Sequence, residues 1–438
     1  MGIHPAILRR RSGGGSLYTA GGINPPFVAD FGAEYYRAPA RTTFANAITH
    51  TATTNATMTD SDGLLKWRPH NLALNSATPA TQDITVTSGA DYTVECTGSG
   101  SVTLSGAGTG AVTEGNPVEV TASTTTLTLT VSGSVDLMWA YRSDLGGMVN
   151  NPDRGDSYVP TTSAAVYLPR RNHHVWNGSA WVNEGLLHES EARTNLITYS
   201  EDFTDASWAK FDVTVSADAT TSPSGSSNAD KIVEGTGSSI HRVNTAGTIV
   251  SGTSYTVSAF FKAAERTRVL VRTNNGSTDE DTYFDLSSGT VISGSGLISD
   301  LGNGWFRVSR TFTAAASVTS SFITQFLLVS SGTTTSYTGD GTSGVYIYGA
   351  QLEEGSTPSS YTPTNGSTAT RAAETLTIPA ANLPWPTPRV IGDELVTNGT
   401  FDTDSDWTKG TGWTISGVAT ATSATSGLYQ ALSLVAGN

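Results

Sequence analysis

The sequence predicts an all-β chain of tandem antiparallel β-sandwich modules of the jelly-roll kind behind an extended N-terminal region. Charged residues make up 14% of it, well below the roughly one quarter usual in globular proteins. Such low charge does not mean disorder here, because 15 Tyr, 13 Phe and 9 Trp stand mostly inside alternating Val/Thr/Ile runs. Those runs are short, keep a period of two and are separated by Gly, Ser and Ala turns, the pattern of half-buried strands. At 438 residues the chain is too long for a single core.

Residues 1–70 read as an extended attachment region. Ser12-Gly13-Gly14-Gly15-Ser16 is hinge-like, and Asn24-Pro25-Pro26 blocks helix. Two readings stand side by side: a disordered terminus, or a segment that orders only when laid on another protein. Phe27, Phe31, Tyr35 and Tyr36 favour the second. So do Arg9, Arg10 and Arg11, a basic head on an acidic body.

Residues 71–162 form a small β-sandwich. Its strands run through Ile84 to Thr87, Tyr92 to Val94, Ser101 to Leu104, Val118 to Val120 and Leu127 to Val131. Residues 163–194 are a bridge in which Trp176 to Trp181 is expected to form a hairpin turning at Asn177-Gly178. Residues 195–370 make the largest module, with clear strands at Tyr255 to Phe261, Arg268 to Arg272, Trp305 to Phe312, Phe322 to Val329 and Val345 to Tyr348. Residues 371–393 read as a linker from Pro379, Pro384, Pro386 and Pro388. Residues 394–438 open a further module in too few positions to close a sandwich.

An internal repeat supports this organisation. Asn195-Leu196-Ile197-Thr198 leads to Phe203 and Trp208, as Glu394-Leu395-Val396-Thr397 leads to Phe401 and Trp407. The Phe and Trp are expected to anchor the first strand in the core. Ser157-Tyr158-Val159-Pro160-Thr161 and Ser360-Tyr361-Thr362-Pro363-Thr364 close the two complete modules alike.

Several functions are excluded on composition or spacing. A net charge of −14 argues against nucleic-acid binding, and no apolar run is long enough for membrane insertion. MGIHPAILRRR places its charges after the apolar stretch, the wrong order for a secretory signal, and Cys96 is the only cysteine, so no intrachain disulfide forms. His173, His174 and His188 lack zinc spacing. Glu189, Glu191, Glu201 and Asp202 crowd one stretch rather than facing each other as a glycosidase pair would. No serine sits in a nucleophile elbow, and Asp60-Ser61-Asp62-Gly63 begins like a calcium loop but lacks the later ligands. No enzymatic activity is expected.

The run from Glu189 to Phe203, ESEARTNLITYSEDF, resembles the opening of modules in tail-fibre and head-fibre proteins of tailed bacteriophages. Tyr255 to Ala263, Gly304-Trp305-Phe306-Arg307-Val308 and Gly349 to Gly355 before Ser360-Tyr361 match the same family in the same order, covering residues 189–371. Thr43 to Thr49 and Asp60 to Leu64 resemble the lead-in of such fibres, between which and the large module the 71–162 unit looks inserted. The terminal piece looks like the start of another carbohydrate-binding jelly roll.

The resemblance implies a virion structural protein, assembled in the host cytoplasm. Residues 1–70 would dock on a portal, head or tail component, commonly as a homotrimer, and the sandwiches would contact host surface polysaccharide. A head-decorating or architectural protein without glycan binding is the alternative. A depolymerase would need a catalytic β-helix that the sequence lacks.

A glycan site in such a module calls for an exposed aromatic platform with polar neighbours on one sheet face. Alternation puts Tyr255, Val257, Ala259 and Phe261 toward the core and Phe260 and Lys262 outward. Phe260, Lys262, Arg272, Trp305, Gln325 and Tyr348 are the platform candidates. Related jelly rolls hold a structural calcium near the module's chain ends. By that resemblance Glu201, Asp202 and Glu353 would supply the oxygens here, with Asp402 their counterpart in the last module, and a solvated turn is the simpler account.

Overall fold

The computed structural model describes residues 27–382 and 396–431, in two units, Met1–Asn382 and Leu383–Asn438. The described chain is almost entirely β, apart from one turn of helix at Phe44–Ala47 and one of 3-10 helix at Ala380–Asn382. No helix among the described residues is long and apolar enough to cross a membrane.

In the large module two six-stranded antiparallel sheets face each other. One runs in the order Trp208–Phe211, Arg242–Ile249, Val318–Val329, Arg268–Asn274, Asp279–Asp285 and Thr290–Ser293. The other is Val213–Thr220, Ala229–Glu234, Gly344–Glu354, Ser254–Ala263, Trp305–Thr313 and Leu297–Asp300. Period-two alternation sends Tyr255, Val257, Ala259 and Phe261 into the space between them, with Val271, Phe326 and Ile347 from neighbouring strands. Phe203 and Trp208 are fully buried in the same core, their rings 4.7 Å apart, and the Trp208 indole N–H donates to the Tyr199 carbonyl at 2.8 Å.

The second sheet's outer face is not open to solvent. Phe260, Trp305 and Tyr348 project from it as alternation requires, but Leu65, Trp67 and Leu145 pack over them. These come from the lead-in hairpin, Thr57–Thr59 with Leu65–Trp67, and from the loop beyond the small sandwich. The hairpin turns at Asp60-Ser61-Asp62-Gly63, where the Asp60 carboxylate accepts the Asp62 and Leu64 N–H groups at 2.9 Å and pairs with Lys66 at 3.0 Å. It is a structural turn.

Two expectations are corrected by this packing. Residues 27–70 are not an extended arm. Strands Val28–Asp30, Tyr35–Arg37 and Arg41–Thr42 form a small sheet, and Tyr36, Phe44, Ala47 and Ile48 make a core that Phe27, Phe31, Leu186 and Leu376 join. Tyr36 is buried and Tyr35 lies under the Arg41 guanidinium, so these aromatics serve the chain's own packing. Arg9, Arg10 and Arg11 lie outside the described residues. The stretch from 371 is likewise part of the body: Thr375–Thr377 pairs with Thr49–Thr51. Of the prolines that suggested a linker, 384, 386 and 388 lie outside the described residues.

The small sandwich sets Gly110–Val112, Ser101–Gly106, Thr126–Ser132 and Gln82–Thr85 against Val118–Thr121, Asp91–Thr97 and Leu137–Arg142. Cys96 is buried in its core with Val94, Leu104, Leu129 and Met138.

Both sandwiches are closed by the same latch. In the small one Asn71 donates to the Val159 carbonyl (2.8 Å), Ser76 Oγ meets Tyr158 OH (2.8 Å), and Thr161 Oγ1 donates to the Ala73 carbonyl (2.5 Å). In the large one Asn195 donates to the Thr362 carbonyl (2.9 Å), Ser200 Oγ meets Tyr361 OH (2.8 Å), and Thr364 Oγ1 donates to the Ile197 carbonyl (2.7 Å). The C-terminal unit repeats the opening of the large module: Phe401 and Trp407 are 5.0 Å apart, and the Trp407 indole donates to the carbonyl nine residues back, on Asn398, at 3.0 Å. Trp407 is half-buried there.

A buried ion cluster ties the first unit together. Arg170 reaches Glu189 at 2.7 Å and Glu374 at 3.1 Å, Arg371 reaches Glu189 at 3.0 Å, and Arg68 pairs with Glu374. The three guanidiniums and Glu374 are almost completely inaccessible. Burial raises the Glu189 carboxyl, but Arg170, Arg371 and two hydrogen bonds from Ser360 outweigh it and bring it down to about 2. Removing one anion leaves buried cations uncompensated. Glu374→Ala is therefore expected to cost roughly 3–5 kcal/mol, read as a lower urea midpoint of the first unfolding transition. A loss under about 1 kcal/mol, the level of a surface pair, would show that the cluster does not hold the unit.

Candidate functional site

The six platform candidates are split between two surfaces. Arg272 and Gln325 lie side by side on the outer face of the first sheet, where Arg272 is held by the Asp281 carboxylate (2.7 and 2.9 Å) and Gln325 accepts from Arg242 (3.1 Å). Phe260, Lys262, Trp305 and Tyr348 share the outer face of the second sheet. Phe260, Trp305 and Tyr348 are 3%, 3% and 0% exposed. They are the floor under the lead-in, not a platform, because a wide apolar face left in water is covered whenever the chain supplies an apolar partner.

The open aromatic surface comes from the bridge. Arg170–Trp176 and Trp181–Leu187 form a hairpin with Trp176 opposite Trp181. Asn177 closes it: its side-chain oxygen accepts the Ser179 and Ala180 N–H groups at 3.0 Å, and Gly178 takes φ +93°. The two indoles are 5.6 Å apart, tilted 56°, and half-buried. Trp181 lies against Gly63 so closely that any Cβ there would collide with its ring.

Below the hairpin is a cleft of about 440 Å³, bounded by the Asp60 to Leu64 turn and the 299–303 loop. Trp176, Trp181, Lys262, Asp300, Trp305 and Arg307 line it. Its volume suits a short oligosaccharide or a comparable small ligand. Lys262 is the one platform candidate that reaches this cleft half-exposed; Phe260 and Trp305 contribute only covered edges. Arg307 was missed by sequence reasoning. The Trp176/Trp181 pair was read only as a hairpin, although two tryptophans flanking a tight turn are themselves a signal of a presented aromatic surface.

The acidic candidates do not converge. Glu353 is fully buried and satisfied by Gln351 and by the Ser359 N–H (2.8 Å) and hydroxyl (2.6 Å). Asp202 caps the following turn through Thr204 and Asp205. Glu201 accepts from Tyr361 OH at 2.9 Å. Asp402, in the other unit, is exposed and accepts from the Thr400 hydroxyl at 2.6 Å. Among the described residues no three His, Cys, Asp or Glu side chains are grouped to hold a metal ion. The calcium set is thus not assembled, because its oxygens are committed to turns and hydroxyls. Glu189 is in the ion cluster and Glu191 pairs with Arg193 at 2.7 Å, so these acids face no common cleft as a glycosidase pair.

A second, larger cleft of about 780 Å³ contains Glu201 with Tyr92, Arg142, Asp144 and Tyr199 on its walls. Arg142 grips Asp144 in a bidentate pair (2.8 Å) and lies over the Trp67 ring. The Glu201 carboxyl is pushed up to about 7, chiefly by burial, against the hydrogen bond from Tyr361 and with the Asp144 charge adding to the rise. Between its ordinary range and about 7 the folded chain holds a proton that the unfolded chain has released. Its stabilising contribution is present below about pH 4.5 and is lost as pH rises through 7. Glu201→Gln should remove that fall, gaining on the order of 2–3 kcal/mol at pH 8 relative to pH 5 when compared with the parent. Parallel melting curves at the two pH values check this, and identical slopes for both proteins would refute it.

No family model matches the chain, and no curated protein matches it. Among the solved structures that show partial likeness are the following two. One is the Clostridium thermocellum N-terminal endo-1,4-beta-D-xylanase 10B, CBM22-1–GH10 modules complexed with xylohexaose, at 14% identity and TM-score 0.22 over 40% of this chain and 30% of that one. The chain thus matches under a third of that structure's length. The other is the CBM22-1–CBM22-2 tandem domain of Paenibacillus barcinonensis Xyn10C, at 10% identity and TM-score 0.28 over 71% of this chain and 91% of that one.

Proposed function

We propose that this chain is a non-catalytic fibre subunit of a tailed-phage particle that binds a surface glycan in the cleft beneath the Trp176/Trp181 hairpin. The observation that carries the binding site is the pair of half-buried indoles, 5.6 Å apart, over a cleft with cationic and amide groups on its walls. Sugar rings offer C–H faces to aromatic rings and hydroxyls to polar groups, and this cleft presents both. The fibre assignment is supported by the ordered motifs across residues 189–371, among them the ESEARTNLITYSEDF opening and the Gly349 to Gly355 run. Affinity of a single cleft would be weak, and a trimeric fibre would multiply it by avidity.

An architectural role without ligand is the second reading, favoured by one observation. The sheet face that would form a module's platform is instead consumed by the lead-in, as Leu65 and Trp67 cover Phe260 and Tyr348.

A glycan array probed with the whole chain separates the two. Trp176→Ala is expected to weaken the strongest signal about tenfold, the loss of one ring–sugar stack, while the melting temperature stays within a few degrees of the parent. Absence of signal from every glycan at millimolar concentration would favour the architectural role.

A further inference from the structure

The cationic groups in the cleft differ from most of the other arginines in this acidic chain, Arg242 on Gln325 being another with a neutral partner. Arg68, Arg142, Arg170, Arg266, Arg272 and Arg310 each meet a carboxylate. Arg307 does not. Its Nη1 donates to the Ser359 carbonyl at 2.7 Å and its Nη2 to Ser258 Oγ at 2.9 Å, while the guanidinium lies 5.3 Å from the centre of the Phe260 ring. Its Nε–H is buried and has no partner. The neutral acceptors hold the group in place; burial disfavours its charge more than the Glu353 and Glu189 carboxylates, which act on it without forming an ion pair, support it. The Lys262 ammonium, on the neighbouring strand opposite Trp305, has no hydrogen-bond or ion-pair partner among the described residues.

The acidic groups that border the same cleft are committed elsewhere. Glu189 is spent on Arg170, Arg371 and Ser360. Asp300 accepts the Gly302 N–H at 2.8 Å through Oδ1 and stands exposed at the rim. His173 is pushed down to about 4 by burial and by Arg170, so it adds no charge near neutrality. Two cations without a direct ion pair therefore share the cleft with one exposed carboxylate, beside an aromatic pair, in a chain of net charge −14.

We infer that the ligand of this cleft is an acidic glycan whose sugar carboxylate is received by Lys262 and Arg307 while the ring lies against Trp176 and Trp181. This rests on the glycan-binding reading above and specifies its substrate class. An anion would supply the direct ion pair that Arg307 lacks, and a charge-assisted hydrogen bond is stronger than a neutral one. Lys262 on its flexible stem would act as a point charge, whereas Arg307 is held in a fixed orientation by Ser359 and Ser258.

The test is an array of uronic-acid polysaccharides, each printed beside its carboxyl-reduced counterpart, probed with the whole chain. The acidic member of at least one pair should bind about tenfold more tightly, the scale of one charge-assisted bond, and the preference should shrink as salt is raised. Lys262→Gln should narrow that preference to about twofold, and Lys262→Arg should retain most of it. Equal binding of acidic and reduced members would overturn the acidic assignment and leave the glycan cleft standing. Failure to bind any glycan would overturn both.

Discussion

Three buried arginines, buried Glu374 and half-buried Glu189 tie the first unit together. They come from four distant stretches: Arg68 from the lead-in, Arg170 from the hairpin, Glu189 from the bridge, and Arg371 with Glu374 from beyond the large module. Taking these groups out of water costs more than a simple apolar contact would, and only their mutual arrangement offsets it. Charged groups packed this closely must meet in near-ideal geometry to offset their desolvation. The lead-in must therefore cross the large module at one place, which brings Trp67 over Tyr348 and the Asp60 turn beside the bridge hairpin. Near the cluster His50 is pushed down to about 3 by burial and the Arg68 charge, and His188 is lowered by burial and the Arg170 charge.

Period-two alternation made much of the fold readable. Tyr255, Val257, Ala259 and Phe261 are core residues because the strand's pleat fixes their side, and Phe203 and Trp208 are core because a short turn returns them to it. The same rule pointed Phe260 and Tyr348 outward, correctly. What it does not encode is what covers an outer face: Leu65 and Trp67 lie roughly two hundred residues or more upstream, and only tertiary packing joins them to that sheet. The aromatics at 27–36 misled for the same reason, since a cluster that packs on Leu186 and Leu376 looks in sequence like one awaiting a partner. Asn71 and Ser76 escaped notice because a latch of three polar residues has no periodicity; only its Tyr-x-Pro-Thr half was visible as a repeat.

The cleft shows how a body with a covered platform still presents an aromatic surface. Sheet faces are broad and easily buried, whereas a two-residue aromatic pair at the end of a hairpin is displaced from the main layers. Trp181 is held there by the absence of a side chain at Gly63, so the turn and the hairpin are fitted to each other. Lys262 and Arg307 reach the same space from adjacent strands of the large module, one loosely and one firmly. Rigid neighbours beneath the indoles would limit the entropy lost on uptake of the proposed ligand.

The duplicated latch has a consequence for how such chains change over time. In each sandwich it stitches the first residues to the last, Asn71 to Val159 and Asn195 to Thr362, so the two chain ends leave from nearly the same spot. For the small sandwich the flanking segments also meet, His70–Asn71 pairing with Val166–Tyr167. A unit with adjoining termini is a cassette: recombination inserts it into, or deletes it from, a host scaffold without separating the strands on either side. The small sandwich, lodged between the lead-in and the bridge, has the geometry of such an acquired part.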